Sequence, residues 1–393
     1  MDANQGGPFE EVTLPAAAPP FGAGASDGEA RRRAADEIGG HVHRGLLYWA
    51  ALAFGGTALS IGLKRNEAPL FLVLAALFAL VQSWDVRDRA RAGELAGEPA
   101  LEPGSAGLVL RALVPLVTPV LAAVCYVGLG TYARTLPVTA GHVAAERWCW
   151  SAAAACLAMT VPVLARLISA ALLPNTPYSQ TARLTASIGL ALLLLPVPVR
   201  LLIDDLMSAF TGTGTAIVDI GGLIGQLAGE VVLALAAVGL WVARDARGVR
   251  ERLGLGRIDP GHLFVAVVGF GAVMLLNSGM EALEHARFPS LWAADQDMGK
   301  LIAGNLGLVT SIVLGVSAGV GEELLVRGAL QPRAGLFWAS VLFMCGHVQY
   351  TWFGMLTILM LGVSLGIVRN RANTTTAIVV HAAYDIIAAL GTK

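Results

Sequence analysis

The sequence predicts an all-α fold, a polytopic helical bundle integral to a membrane, with about 10–11 transmembrane helices of the ~20 residues that a straight span needs. Three observations carry that prediction. Of the 393 residues, 55% are apolar and only 14% are charged, where a soluble domain carries roughly a quarter charged residues to clothe its surface. Long apolar runs recur along the chain, separated by short polar breaks. Those runs are continuous and rich in Ala and Leu rather than alternating in polarity, which argues against membrane strands.

The first element is a tail, residues 1–43, rich in Pro, Gly, Ala and acidic residues with a basic run at Arg31, Arg32 and Arg33. It shows neither helical nor strand period, and is expected to be a disordered cytoplasmic segment. It is not read as a secretory signal, because its apolar run starts late and no small-residue cleavage site follows. Apolar runs follow at 45–63, 69–84, 112–132, 148–173, 184–203 and 217–243, which with the segments between them form an N-terminal transmembrane bundle over 44–260. A second unit, 261–393, holds runs at 262–280, 301–330, 336–349, 353–368 and 374–390. The basic segment after Ala243 and the acidic one after Met280 mark the internal boundaries.

Arg44, Arg87, Arg89, Arg91 and the cluster from Arg244 to Arg257 all fall on one side if the N-terminus is cytoplasmic. The segment carrying Glu281, Glu284, Asp295 and Asp297 then lies outside. The net charge of −1, without a basic patch, gives no sign of a nucleic-acid partner. Cys125, Cys149, Cys156 and Cys345 sit in apolar stretches without ligand spacing, and are expected to be small core residues rather than a disulfide framework or zinc cluster. No internal repeat is visible, which disfavours an inverted-repeat transporter.

Ionisable residues inside apolar runs are costly and mark function by default. Most lie near the C-terminus: Glu322, Glu323 and Arg327, then His347, then His381 and Asp385. Glu230 is a lone carboxylate midway along its run, read as a lumen-facing or helix-end residue. Glu323 and Arg327 are spaced i,i+4 and can pair on one helix face, while Glu322 is turned about 100° away. Phe343 and His347 share the i,i+4 spacing, so an aromatic ring can wall the histidine. His381 and Asp385 share it too, so a carboxylate can orient the imidazole. Measured from the helix ends, Glu322, His347 and His381 lie roughly 13, 16 and 12 Å deep at 1.5 Å per residue. Helices of alternating direction therefore bring the three to one level.

Glu322-Glu323-x-x-x-Arg327-Gly328, Phe343-x-x-x-His347 and His381-x-x-x-Asp385 together resemble the ordered motifs of the CPBP (CAAX protease, Abi) family. That family includes the CAAX prenyl endopeptidases and bacterial proteases that process sorting tags, the myxosortase type. The resemblance runs from Gly315 to Leu390 and implies an intramembrane glutamic endopeptidase. In that reading Glu322, with His347, activates a water. His381 and Asp385 hold the oxyanion-stabilising positions, and Glu323 with Arg327 braces the first helix. The chemistry stands on its own as well: a carboxylate shielded from bulk water can act as general base, and fixed donors in a low-dielectric cavity stabilise a tetrahedral oxyanion.

The chain departs from the pattern at Asp385, where the family often has asparagine. An ionised aspartate cannot donate to an oxyanion, so Asp385 serves either protonated or by orienting His381. Glu322, His347 and His381 are also the ligand types of a catalytic zinc. The chain has no HExxH, and metal-free catalysis without a cofactor is placed ahead. The expected partners are a membrane-associated or lipid-anchored protein or peptide substrate and the bilayer, in the inner or plasma membrane. The Ala, Gly and Arg usage suits a GC-rich bacterium, which favours anchor or sorting sequences over prenylated ones. The alternatives are a non-catalytic scaffold or immunity-type protein, and a proton-coupled transporter relaying protons through Glu322, His347 and His381.

Overall fold

The computed structural model describes residues 27–62, 68–91, 105–211, 218–304 and 306–391. Among the described residues the regular structure is helical throughout: α1 (Asp27–Gly62), α2 (Ala68–Arg91), α3 (Ser105–Thr135), α4 (Ala140–Ala158), α5 (Pro162–Leu172), α6 (Gln180–Leu194), α7 (Pro196–Thr211) and α8 (Ile220–Ala237). The chain continues through α9 (Ala246–Arg252), α10 (Pro260–Arg287), α11 (Pro289–Ala303) and α12 (Leu308–Glu323). A π-helical segment (Leu324–Leu330) then leads into α13 (Gln331–Cys345), α14 (Trp352–Arg371) and α15 (Thr374–Gly391). Among the described residues, eight helical stretches are long and apolar enough to cross a membrane, or up to ten if each of two bent pairs counts as one span. The protein is a multi-pass helical membrane protein.

The difference from eleven apolar runs has identifiable causes. The run at 148–173 bends by 103° between α4 and α5, and that at 184–203 by 54° between α6 and α7. Pro162 and Pro196 begin the second helix of each pair, where a missing N–H and a ring clash break the preceding turn. The runs at 301–330 and 336–349 merge into one stretch, Leu308–Cys345, kinked at Gly335, whose φ of 74° needs a residue without a β-carbon. The acidic segment after Met280 is not a loop: α10 continues to Arg287 and α11 follows at once. The expected tail is shorter too, because 27–43 belong to α1; residues 1–26 lie outside the described residues.

Two packing features place the functional helices. One core cluster joins Val42 and Trp49 of α1, Phe78 of α2 and Leu233 of α8 to Leu253, Leu324 and Ala329, so side chains from both sides of residue 260 share it. The Trp49 indole N–H donates to the Leu240 carbonyl at 2.8 Å, and the Gln82 amide donates to the Ala236 and Ala237 carbonyls that end α8. The second feature is the close approach of α12 to α15. A β-carbon at Gly315 would come within 2.6 Å of Ile386, and one at Gly319 within 2.8 Å of the Ala382 backbone. Gly319→Val is therefore expected to push α15 off α12 and cost about 1–3 kcal/mol through overpacking. It should also displace His381, which α15 carries. Thermal unfolding of the purified chain checks this, and an unchanged midpoint would contradict it.

Candidate active site

The last turn of α12 ends in Glu322 and Glu323, and the backbone widens there into the π-helical segment. Such segments frequently occur at functional sites, and here the widening follows directly on two adjacent carboxylates. Glu323 and Arg327 are fully buried, with Arg327 Nε 3.2 Å from Glu323 Oε2. The two are close as charges but not aligned as a hydrogen bond, and the guanidinium nitrogens have no acceptor among the described residues. The guanidinium also lies over the Phe343 ring, 4.9 Å from its centroid, a cation–π contact. A buried ion of this kind persists only while its partner is present.

His381 projects from α15 into this carboxylate group and is 6% exposed. Its Nδ1 is 3.0 Å from Glu323 Oε1. On its other side Nε2 lies 3.4 Å from Asp385 Oδ2 and 3.9 Å from Glu322 Oε2. A ring that donates from both nitrogens thus faces a carboxylate oxygen at each. Glu323, which the spacing assigns only to Arg327, links the ion pair to the histidine; sequence offered no sign of this, because it joins residues 58 positions apart. Asp385 faces Nε2, while Glu323 is the group that fixes Nδ1.

His347 does not lie inside a helix. α13 ends at Cys345 with Gly346 as its cap, so His347 stands on the loop that follows. Its ring Nδ1 forms a hydrogen bond with the Phe343 carbonyl at 2.9 Å. The Phe343 ring, 7% exposed, sits 4.7 Å from the His347 ring and 6.0 Å from the His381 ring, edge-on to both. Phe343 therefore stands between the two histidines and beneath Arg327. Glu322, Glu323, Arg327, His381 and Asp385 share one charged cluster, and His347 joins it through Phe343. Glu322, His347 and His381 do not form a three-ligand metal group among the described residues.

The loop that bears His347 is tied down from α11, an element that carries no motif. Asp295 accepts from the Thr351 backbone N–H and from its hydroxyl, both at 2.7 Å. Glu284 Oε1 lies 3.4 Å from the same hydroxyl. Thr351, 1% exposed, caps α14 by accepting from the Gly354 N–H. The sequence reading left Asp295 and Glu284 as outer-surface charges, since nothing in their spacing couples them to residue 351. Asp295→Ala is expected to free the loop and shift His347, and to lower any turnover that depends on His347 on the order of tenfold, the cost of displacing a reacting group. Faster amide exchange over 346–351 is the second readout, and unchanged exchange would refute the tether.

No curated protein and no solved structure matches the chain. A family match does exist. It covers the C-terminal segment, which begins just before α12, takes in the carboxylate–histidine cluster and ends within α15. Residues 304–387 match the model of the Rce1-like type II CAAX prenyl endopeptidases, and over that segment the chain is similar to the CAAX-type (CPBP) proteases.

Proposed function

We propose that the chain is an intramembrane endopeptidase that hydrolyses a peptide bond of a membrane-associated or lipid-anchored protein, with Glu322 as general base. The observation that carries this reading is the state of Glu322. Its Oε2 is buried without a protein donor among the described residues, yet it faces the braced His381 across 3.9 Å. An acceptor held out of bulk water beside a fixed imidazole suits proton abstraction from a water.

In this mechanism Glu322 takes a proton from water as the water oxygen bonds to the scissile carbonyl carbon. The carbonyl electron pair moves to oxygen, and the His381 Nε2–H stabilises that oxyanion. Asp385 and Glu323 hold the ring from its two sides. The C–N bond then breaks, and the departing amine takes the proton that Glu322 carries. His347, walled by Phe343, assists at the edge of the cluster. Processing of C-terminal anchor or sorting sequences in a bacterial cell membrane, with a cytoplasmic N-terminus, fits this reading.

The test compares membrane and secreted proteins from cells expressing the wild type, Glu322→Ala or no copy of the chain, with mass spectrometry reading their C-termini. Termini that need the wild type, vanish in the variant and persist with a chelator are the expected result. Loss on chelation would move the mechanism to a metal. Identical termini with a correctly inserted variant would overturn the protease reading in favour of a scaffold or transporter.

A further inference from the structure

A second buried carboxylate approaches the same cluster from outside the family-matched segment. Glu230, on α8, is 7% exposed. Its Oε1 accepts from the Gln226 side-chain amide at 2.9 Å, one helical turn away. Its Oε2 is buried with no protein donor among the described residues, as is Glu322 Oε2. A buried acceptor without a donor is an exception that needs an explanation, and here two such acceptors lie on helices, α8 and α12, that pack directly against each other.

Their proximity is built into the backbone. A β-carbon at Gly321 would run into Glu230 Oε2, so glycine at 321 admits the carboxylate against α12. Glu322 is the next residue, and backbone dimensions then place Glu230 Oε2 within about 7 Å of the Glu322 α-carbon. The charged groups that bear on Glu230 are Glu322 and His381. Across α8 the neighbouring Gly229 is covered by the ring of Phe71 from α2.

We propose that Glu230 is a positioning residue of the catalytic centre, paired with Glu322 through one shared proton, and that this pairing fixes the carboxylate that activates water. Two carboxylates at close range cannot both remain ionised without a donor between them, and a single proton serves both orphaned oxygens. The centre is then assembled from two parts of the chain: the motif-bearing C-terminal segment and α8 of the N-terminal bundle. The role in turnover rests on the protease reading above; the pairing itself does not.

The experiment uses the full-length chain and two readouts. The first is the yield of C-termini that require wild-type protein and Glu322. Glu230→Leu fills similar space without a donor or acceptor, and removes a buried polar group, so its thermal stability should equal or exceed that of the wild type. Its yield of those termini is expected to fall on the order of tenfold to a hundredfold, the cost of misplacing a reacting group. Glu230→Gln returns a donor to Glu322 and should recover part of the loss. The second readout is the infrared carboxyl band that disappears in Glu322→Gln, recorded on the protein in lipid without substrate. In Glu230→Leu that band should move.

Wild-type yield in Glu230→Leu together with an unmoved band would overturn the proposal and leave the protease reading standing, since Glu322→Ala would still abolish the termini. If no chain-dependent termini exist, the protease reading falls and the role in turnover with it. The band then decides the pairing alone: a moved band upholds it, and an unmoved one refutes it.

Discussion

Glu322→Gln is expected to abolish measurable turnover while leaving the helical bundle intact. The substitution keeps the length and shape of the side chain but replaces a carboxylate with an amide that cannot take a proton from water. General-base catalysis contributes on the order of 10²- to 10⁴-fold, and that is the expected loss in kcat, with little change in KM. The fold should survive because Glu322 donates nothing to the brace: the ion pair and the Nδ1 contact both belong to Glu323. Glu322→Asp keeps the base but withdraws it by one methylene, and should fall between the two. Retention of full kcat in Glu322→Gln would remove Glu322 from the reaction.

The buried ion pair should separate stability from activity. Glu323→Ala or Arg327→Ala alone leaves a fully buried ion without its counter-charge, at a cost of about 3–5 kcal/mol. Glu323→Leu with Arg327→Met removes both charges together, and well-packed apolar replacements of a buried pair are often neutral or stabilising. The double variant is therefore expected to unfold near the wild-type temperature. It should remain inactive all the same, because His381 Nδ1 loses the Glu323 oxygen that holds it at 3.0 Å. A double variant as unstable as the single ones would show that the pair is not balanced in this way. An active double variant would show that His381 does not need Glu323 to orient it.

The membrane class, the helical architecture and the motif residues are legible in the sequence. Composition and run length reflect the bilayer as solvent, and i,i+4 spacing reports which side chains share a helix face. That spacing anticipates the contacts between Glu323 and Arg327 and between Phe343 and His347. It also brings Asp385 beside His381, 3.4 Å away. The same local rules misplace the ninth apolar run, which ends at Cys345 rather than carrying His347 within a helix. Apolar character does not register where a backbone turns, and the kink at Gly335 is decided by a single glycine in the left-handed region. The π-helical widening after Glu323 likewise leaves no mark on apolar periodicity.

What the sequence by itself determined is the i,i+4 neighbours among the motif residues, together with the solvent the chain must live in. What only the tertiary structure decided is which helices meet. It placed Glu323 against His381, Asp295 against the loop of His347, and Glu230 against Gly321. These contacts join residues 56 to 58 positions apart in the first two cases and cross from α8 to α12 in the third. The physical reason is that hydropathy and periodicity describe a residue's own helix and solvent. The partner of a buried charge is set by how closely two helices can approach, and here that approach depends on glycines at 315, 319 and 321.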